Sequence, residues 1–156
     1  CPSRSLHLSA GFKQPASVLV VIHTPKQRVL LIERAAHPGY WQSVTGSREG
    51  EDSLLDTARR EVEEETGILA PASAFKEWRI SNHFEILEQW RHRYAPGITH
   101  NTEHVFSLCV PEPIEVKLAP DEHRAQCWLP WQDAARKCFS WTNQDAILML
   151  ARSPRI

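Results

Sequence analysis

Four glutamates crowd one short stretch, Arg60-Glu61-Val62-Glu63-Glu64-Glu65-Thr66-Gly67-Ile68, and their spacing constrains this chain more than any other feature. An α-helix advances about 100° per residue. With Glu61 at zero, Glu64 falls about 60° to one side, Glu65 about 40° to the other, and Glu63 nearly opposite at about 200°. Three carboxylates therefore share an arc of about 100° while the fourth looks to solvent. Like charges on one helix face repel, so the cluster calls for a positive counterpart. Oxygen-only donor sets suit hard divalent cations such as Mg²⁺, which commonly serve phosphate substrates. A solvated acidic helix is the alternative reading of the same residues.

The surrounding residues favour the first reading. Arg60 stands four before Glu64, a spacing that lets its guanidinium orient a carboxylate. Leu54, Leu55, Ala58 and Val62 form an apolar stripe that can dock the helix onto a core, and Gly67 suits a left-handed helix stop. Upstream, Trp41-Gln42-Ser43-Val44-Thr45-Gly46 reads as a short strand entering an acidic loop. The whole segment from Gly46 to Ile68 resembles the Nudix box, G-x5-E-x7-R-E-U-x-E-E-x-G-U with U aliphatic. Gly46, Arg60, Glu61, Val62, Glu64, Glu65, Gly67 and Ile68 match in register. Asp52 departs from it, standing where the pattern has its first glutamate, with Glu51 adjacent.

At 156 residues and 42% hydrophobic, the chain suits one domain with a substantial core. That domain is taken as residues 1–156, with 1–15 a loose N-terminal arm. The net charge of −1 gives no bulk attraction to nucleic acid or an anionic membrane. No apolar run reaches membrane-spanning length, and no basic segment followed by an apolar stretch marks a secretory signal. The expected partners are therefore small molecules, with neither nucleic acid nor membrane, and monomer and homodimer both stay open. Cys1, Cys109, Cys127 and Cys138 show no C-x-x-C pairing, so reduced core thiols and a cytoplasmic setting are expected.

Ser17 to His23 and Arg28 to Ile32 read as strands of a partly buried sheet joined across Thr24-Pro25-Lys26. Phe75 to Arg93 alternates apolar and polar residues and suits one long strand or two. Pro96-Gly97 breaks it. Glu103 to Val110 and Gln126 to Leu129 are further strands, and helices are expected after Pro130 and after Ser140-Trp141-Thr142. The class is α/β; the Nudix resemblance implies a mixed β-sheet sandwiched between α-helices.

Segments outside the box add substrate information. Trp41 to Gly46, Arg91-His92-Arg93-Tyr94-Ala95-Pro96-Gly97, Asn101-Thr102-Glu103 and Ser140-Trp141 with Asn143 resemble bacterial dihydroneopterin triphosphate pyrophosphohydrolases of folate biosynthesis. The likeness spans roughly residues 16 to 150. It implies cleavage to the monophosphate and pyrophosphate, with nucleoside triphosphates, dATP especially, as further substrates. A general nucleoside triphosphate pyrophosphohydrolase and a non-catalytic Nudix-like binding module are the alternatives. The latter typically loses members of the R-E-x-x-E-E set, which is complete here.

By motif position, Glu61, Glu64 and Glu65 would hold Mg²⁺, or Mn²⁺ in its place, and Arg60 would fix a carboxylate. Metal neutralisation and orientation provide most of the catalysis in phosphoanhydride hydrolysis, and one carboxylate must take a proton from water. Glu122 is the candidate extra ligand or base from a loop, against a solvated loop acid; His123 reads rather as a surface or packing histidine. If Arg91 and Arg93 lie in a strand, they share a face and can both reach a triphosphate; an edge-strand charge is the alternative. Trp41 and Tyr94 are candidates to stack on a flat pterin or purine, although six tryptophans make core packing the competing reading for each aromatic. Gly46 completes the proposed substrate contacts, and Glu103 is either support for the site or strand surface.

Overall fold

A computed structural model describes residues 12–152. Most of the expected N-terminal arm, with Cys1, lies outside the described residues.

Strand β1 (Ala16–His23) explains the architecture. Its alternate residues are buried on opposite sides, as a period-two strand covered on both faces requires. Val18, Val20 and Ile22 join one apolar cluster and Leu19 and Val21 another. β2 (Arg28–Arg34) divides in the same way, with Leu30 and Ile32 on the first side and Val29 and Leu31 on the second. Helix α1 (Leu54–Thr66) covers the first cluster through Ala58 and Val62, with Leu54 and Leu55 at its margin. α2 (Trp131–Lys137) and α3 (Trp141–Arg152) cover the second through Ala134, Ala135, Ile147 and Leu150. The expected mixed sheet between helices is what the chain forms.

The remaining strands are β3 (Trp41–Gln42), β4 (Val44–Ser47), β5 (Phe75–Glu85), β6 (His100–Cys109) and β7 (His123–Pro130). The main path runs β3-β2-β1-β6-β5, with β4 paired to β1 and β7 to β2. β1 and β6 pair in parallel; the other pairs are antiparallel. β1 and β2 meet at their turn, where His23 opposes Val29, and beyond it β1 pairs with β4 instead. Ser17 lies opposite Ser47 of β4 on one side and Glu103 of β6 on the other. That register brings the box loop and the Asn101-Thr102-Glu103 segment to one end of the sheet.

Three expectations change. The strand expected to reach Arg93 stops at Glu85, and Glu88–Arg93 is a 3-10 turn. Buried Ile86 anchors the break: its N–H donates to Thr99 O at 2.8 Å and its carbonyl accepts from Arg91 Nε at 3.0 Å. The described end of the arm is tied down, since Lys13 N donates to Arg93 O at 2.8 Å. Of the expected core thiols, Cys138 is buried and Cys127 half-buried, but Cys109 is exposed where β6 ends.

Candidate active site

Helix α1 carries the first half of the site. Ser53 caps it by accepting from Asp56 N at 3.0 Å, and Gly67 ends it in the left-handed region at φ 75°, its N–H donating to Glu63 O. Glu61 and Glu65, one turn apart, are buried; Glu63 is exposed. β4 passes so close beneath Glu61 that any Cβ on Gly46 would overlap its carboxylate.

Arg60 organises this face. Its Nη1 donates to Glu61 Oε2 at 2.9 Å and stands 3.6 Å from both Glu64 Oε1 and Glu49 Oε2. Nη2 donates to Ser47 O at 3.0 Å. The Glu64 carboxylate therefore sits beside Arg60, while Glu61 and Glu65 lie against each other. Burial raises the Glu65 pKa well above the ordinary range, and the Glu61 charge and a hydrogen bond to Glu61 raise it further; Glu122 adds a smaller push, and the Thr45 backbone opposes. Two abutting buried carboxylates cannot both ionise cheaply, so the pair holds a proton when nothing cationic lies between them.

Among the described residues no three His, Cys, Asp or Glu side chains form a ready-made metal cage. The site nevertheless fits a divalent cation of the Mg²⁺ kind. The Glu61–Glu65 pair needs a positive charge, and Glu65 Oε1 is buried without a hydrogen-bond partner among the described residues. Mg²⁺ is held by one or two carboxylates and completes its shell from water and substrate phosphate.

Glu122 is exposed just before β7, at the rim near Glu65 and Arg34. His123 beside it is buried, with Nε2 3.8 Å from Glu65 Oε1. Burial, and then the Arg34 charge, lower its pKa to about 4, so at neutral pH it is an uncharged packing histidine. Asp52 is exposed on the loop before α1.

The second half is a cavity of ≈ 270 Å³ opening beside the carboxylates. Gly46, Ser47, Arg93 and Tyr94 line it, and Tyr94 hydrogen-bonds Ser47. Lys13 and Arg34 line it as well, and they crowd Arg93. Burial first and Arg93 second lower the pKa of each, although Lys13 as a whole residue is exposed; Glu61 and Glu65 pull Lys13 the other way. Arg34 Nε is buried without a hydrogen-bond partner among the described residues, and its guanidinium lies 5.0 Å over the Trp90 ring. Three cations thus face two acidic side chains at the cavity mouth.

Two expected contacts are not there. Arg91 does not share a face with Arg93, because the 3-10 turn replaces the two-residue period of a strand. Its Nη2 pairs with Glu85 at 2.7 Å, and it lines a separate surface hollow with Pro96 and Gly97. Trp41 lies under Lys137, 4.8 Å from Nζ to ring centre, and packs on the second apolar cluster instead of lining the cavity. The aromatic walls are Phe84, Trp90, Tyr94, Phe139 and the exposed Trp141.

Lys13, Arg34, Glu49, Trp90 and Phe139 were missed from sequence. The alternation of Leu30 and Ile32, carried two residues on, reaches Arg34 and was the available signal. Lys13 and Glu49 carried none. Asn143 has a structural part: Oδ1 accepts from Ser43 N at 2.7 Å and Nδ2 donates to Ser43 Oγ at 3.0 Å, pinning α3 to the β3–β4 bend.

The sequence matches the NUDIX domain over residues 13–150. The chain belongs to the Nudix family. Its Nudix relatives include the dihydroneopterin triphosphate diphosphatase of Escherichia coli K12, 42% identical over 139 residues, spanning 87% of this chain and 91% of that one. The Haemophilus influenzae protein of the same name is 39% identical, over 90% of this chain and 89% of its own. The solved structure of the E. coli dihydroneopterin triphosphate pyrophosphohydrolase superposes with a TM-score of 0.82 at 41% identity, covering 87% of this chain and 94% of that one. The chain therefore has the fold of a Nudix hydrolase and its box, with Asp52 the one departure.

Proposed function

We propose that this Nudix hydrolase cleaves dihydroneopterin triphosphate to dihydroneopterin monophosphate and pyrophosphate, using Mg²⁺, with Mn²⁺ able to replace it. The observation that carries the reading is the continuity of the site: a buried carboxylate pair, three crowded cations and an aromatic cavity follow one another along the end of the sheet. The similarity to the named diphosphatases over most of both chains supports the choice of substrate.

Lys13, Arg34 and Arg93 receive the triphosphate oxygens, with Arg34 Nε gaining the partner it lacks. Glu61 and Glu65, backed by Glu64 and by Glu122 at the rim, hold the cation; Arg60 keeps Glu61 and Glu64 in place. The bound cation supplies charge neutralisation for the phosphoanhydride oxygens. Water attacks phosphorus as the bond to the departing pyrophosphate breaks, and a carboxylate of the α1 face takes the water proton. Tyr94, Trp90 and Phe139 enclose the ring. The cytoplasm, where such triphosphates are made, is the setting this implies.

The test measures pyrophosphate release from dihydroneopterin triphosphate beside a panel of nucleoside triphosphates, with and without Mg²⁺. A kcat/KM for the pterin well above every nucleotide is the expected result. A nucleotide preferred over the pterin would make this a general nucleotide hydrolase.

A further inference from the structure

Trp141 stands apart from the other tryptophans. Trp78 and Trp128 donate their ring N–H groups, to Ser107 Oγ at 2.9 Å and to Ile114 O at 2.7 Å. Trp41 and Trp131 pack on the second apolar cluster, and Trp90 meets the Arg34 guanidinium and makes an edge contact with Phe139. Trp141 lines the cavity, is 57% exposed, and has no hydrogen-bond or ring partner among the described residues. An exposed indole leaves a large apolar surface in water, yet this one does not sit on a loose end. The next two residues, Thr142 and Asn143, are buried. Thr142 hydrogen-bonds Glu103, and Asn143 is pinned to Ser43. The backbone at residue 141 is thus fixed at the start of α3 while its ring is left free. The wall rings are already engaged: Phe139 stacks on Tyr40 with 4.6 Å between centroids, and Arg34 lies over Trp90. Leu87, at the start of the 3-10 turn, adds a second exposed apolar side chain to the lining.

We infer that Trp141 stacks on the heterocycle of the substrate and gives the site a preference for bicyclic rings, pterin or purine, over single pyrimidine rings. A rigidly mounted indole offers a flat π-face, and stacking asks for no particular donor or acceptor pattern on its partner. The contact grows with the overlapping area, so a two-ring system gains more from it than a one-ring system. Stacking therefore admits pterin and adenine alike, in keeping with dATP as a further substrate, and leaves the choice between them to other contacts. The reacting phosphorus lies at the carboxylates, away from the ring, so the stack is the same before and during the chemistry and acts on KM. The inference deepens the proposed function and rests on it for where the phosphates lie, not for which bicyclic ring is cleaved.

The test compares wild type, Trp141→Ala and Trp141→Phe. Each is titrated calorimetrically, without metal, with dATP, dCTP and inorganic tripolyphosphate, and assayed with Mg²⁺ on dihydroneopterin triphosphate and dATP. Loss of a base–aromatic stack predicts that Trp141→Ala binds dATP roughly 5- to 100-fold more weakly. KM for dihydroneopterin triphosphate and dATP should rise by similar factors, with kcat within about twofold of wild type. Binding of dCTP should weaken less and that of tripolyphosphate not at all, and Trp141→Phe should recover most of the loss. A role confined to seating α3 would weaken tripolyphosphate as much as dATP, and that result overturns the inference. So does an unchanged dATP affinity, including the case in which Trp141→Ala splits a dimer in size-exclusion chromatography instead. Should Trp141→Ala not fold, acrylamide quenching of fluorescence decides: dATP shielding tryptophan in wild type but not in Trp141→Phe supports stacking, and equal shielding in both overturns it. Binding of dATP through Trp141 by an enzyme that leaves dihydroneopterin triphosphate uncleaved would sink the proposed function and leave the inference standing.

Discussion

Gly46 and Glu61 compete for one volume: the carboxylate of Glu61 occupies the place where a Cβ on residue 46 would stand. The glycine is needed for this close approach, not for an unusual backbone angle. Gly46→Ala therefore moves Glu61 off Arg60 Nη1, from which it is now 2.9 Å. We expect kcat to fall by about 100-fold, the scale of a 1 Å misplacement, with the circular dichroism spectrum unchanged. Rates within twofold of wild type would show that Glu61 relaxes freely and that the cradle has no catalytic meaning.

The carboxylate pair should trade stability for turnover. Glu65→Gln replaces a buried group whose ionisation burial and Glu61 both oppose and which must take up a proton on folding without metal, so the metal-free variant should melt higher than wild type while turnover and the Mg²⁺-induced rise in Tm are lost. Glu63→Gln, on the exposed side, should match wild type in both assays. Thermal scans with and without Mg²⁺ read the two effects separately; a normal Mg²⁺ shift in Glu65→Gln would remove Glu65 from the cation site.

Arg93 and Arg91 are two residues apart but should behave differently. Arg93→Ala is expected to lower kcat/KM for dihydroneopterin triphosphate and dATP by similar factors, on the order of ten or more, since it meets the phosphates they share. Arg91→Ala breaks the 2.7 Å pair with Glu85 and the bond to Ile86 O. It should cost modest stability and leave kcat/KM near wild type. Steady-state kinetics on both substrates checks this, and a large loss confined to Arg91→Ala would reverse the assignment.

The contrast between these arginines shows where the sequence was legible. The helix face was readable because a 3.6-residue period fixes directions, and Gly67 and the Leu54–Val62 stripe agreed with it. The strands β1 and β2 were readable because their apolar runs are unbroken. Directions in Phe75–Arg93 were misread because tertiary anchoring of Ile86 ended the strand, and no local residue announces that. Glu64 illustrates a finer limit. The wheel places its Cβ on the right arc, but Arg60 decides where its carboxylate goes. Lys13 entered the site through a backbone bond from far along the chain to Arg93, which spacing cannot reveal.

Glu103 gives a pH dependence of stability with a definite sign. Its folded-state pKa is about 7 against an ordinary 4.5, so between those values the folded protein binds more protons than the unfolded chain. Stability then falls as pH rises from about 4.5 to about 7 and is flat with respect to this group outside that window. The whole loss is at most about 3 kcal/mol. Glu103→Gln should abolish it, leaving the variant more stable than wild type in urea at pH 8 and nearly equal at pH 4.5. A variant less stable at pH 8 would mean the Thr142 contact outweighs the buried charge.

Ser17 sits between Ser47 and Glu103 in the hydrogen-bonded register of three neighbouring strands. Two strand spacings, about 10 Å, therefore separate the wall beneath the box from Glu103 at the far side of the cavity. That separation is set by backbone pairing, which side-chain substitution does not alter. The sheet acts as a ruler laid across the site: side-chain substitutions on β6 can reshape the cavity while its distance from the box stays fixed. A diphosphate with the same ring should consequently bring the same phosphorus to the same place and lose only the contacts of the missing terminal phosphate.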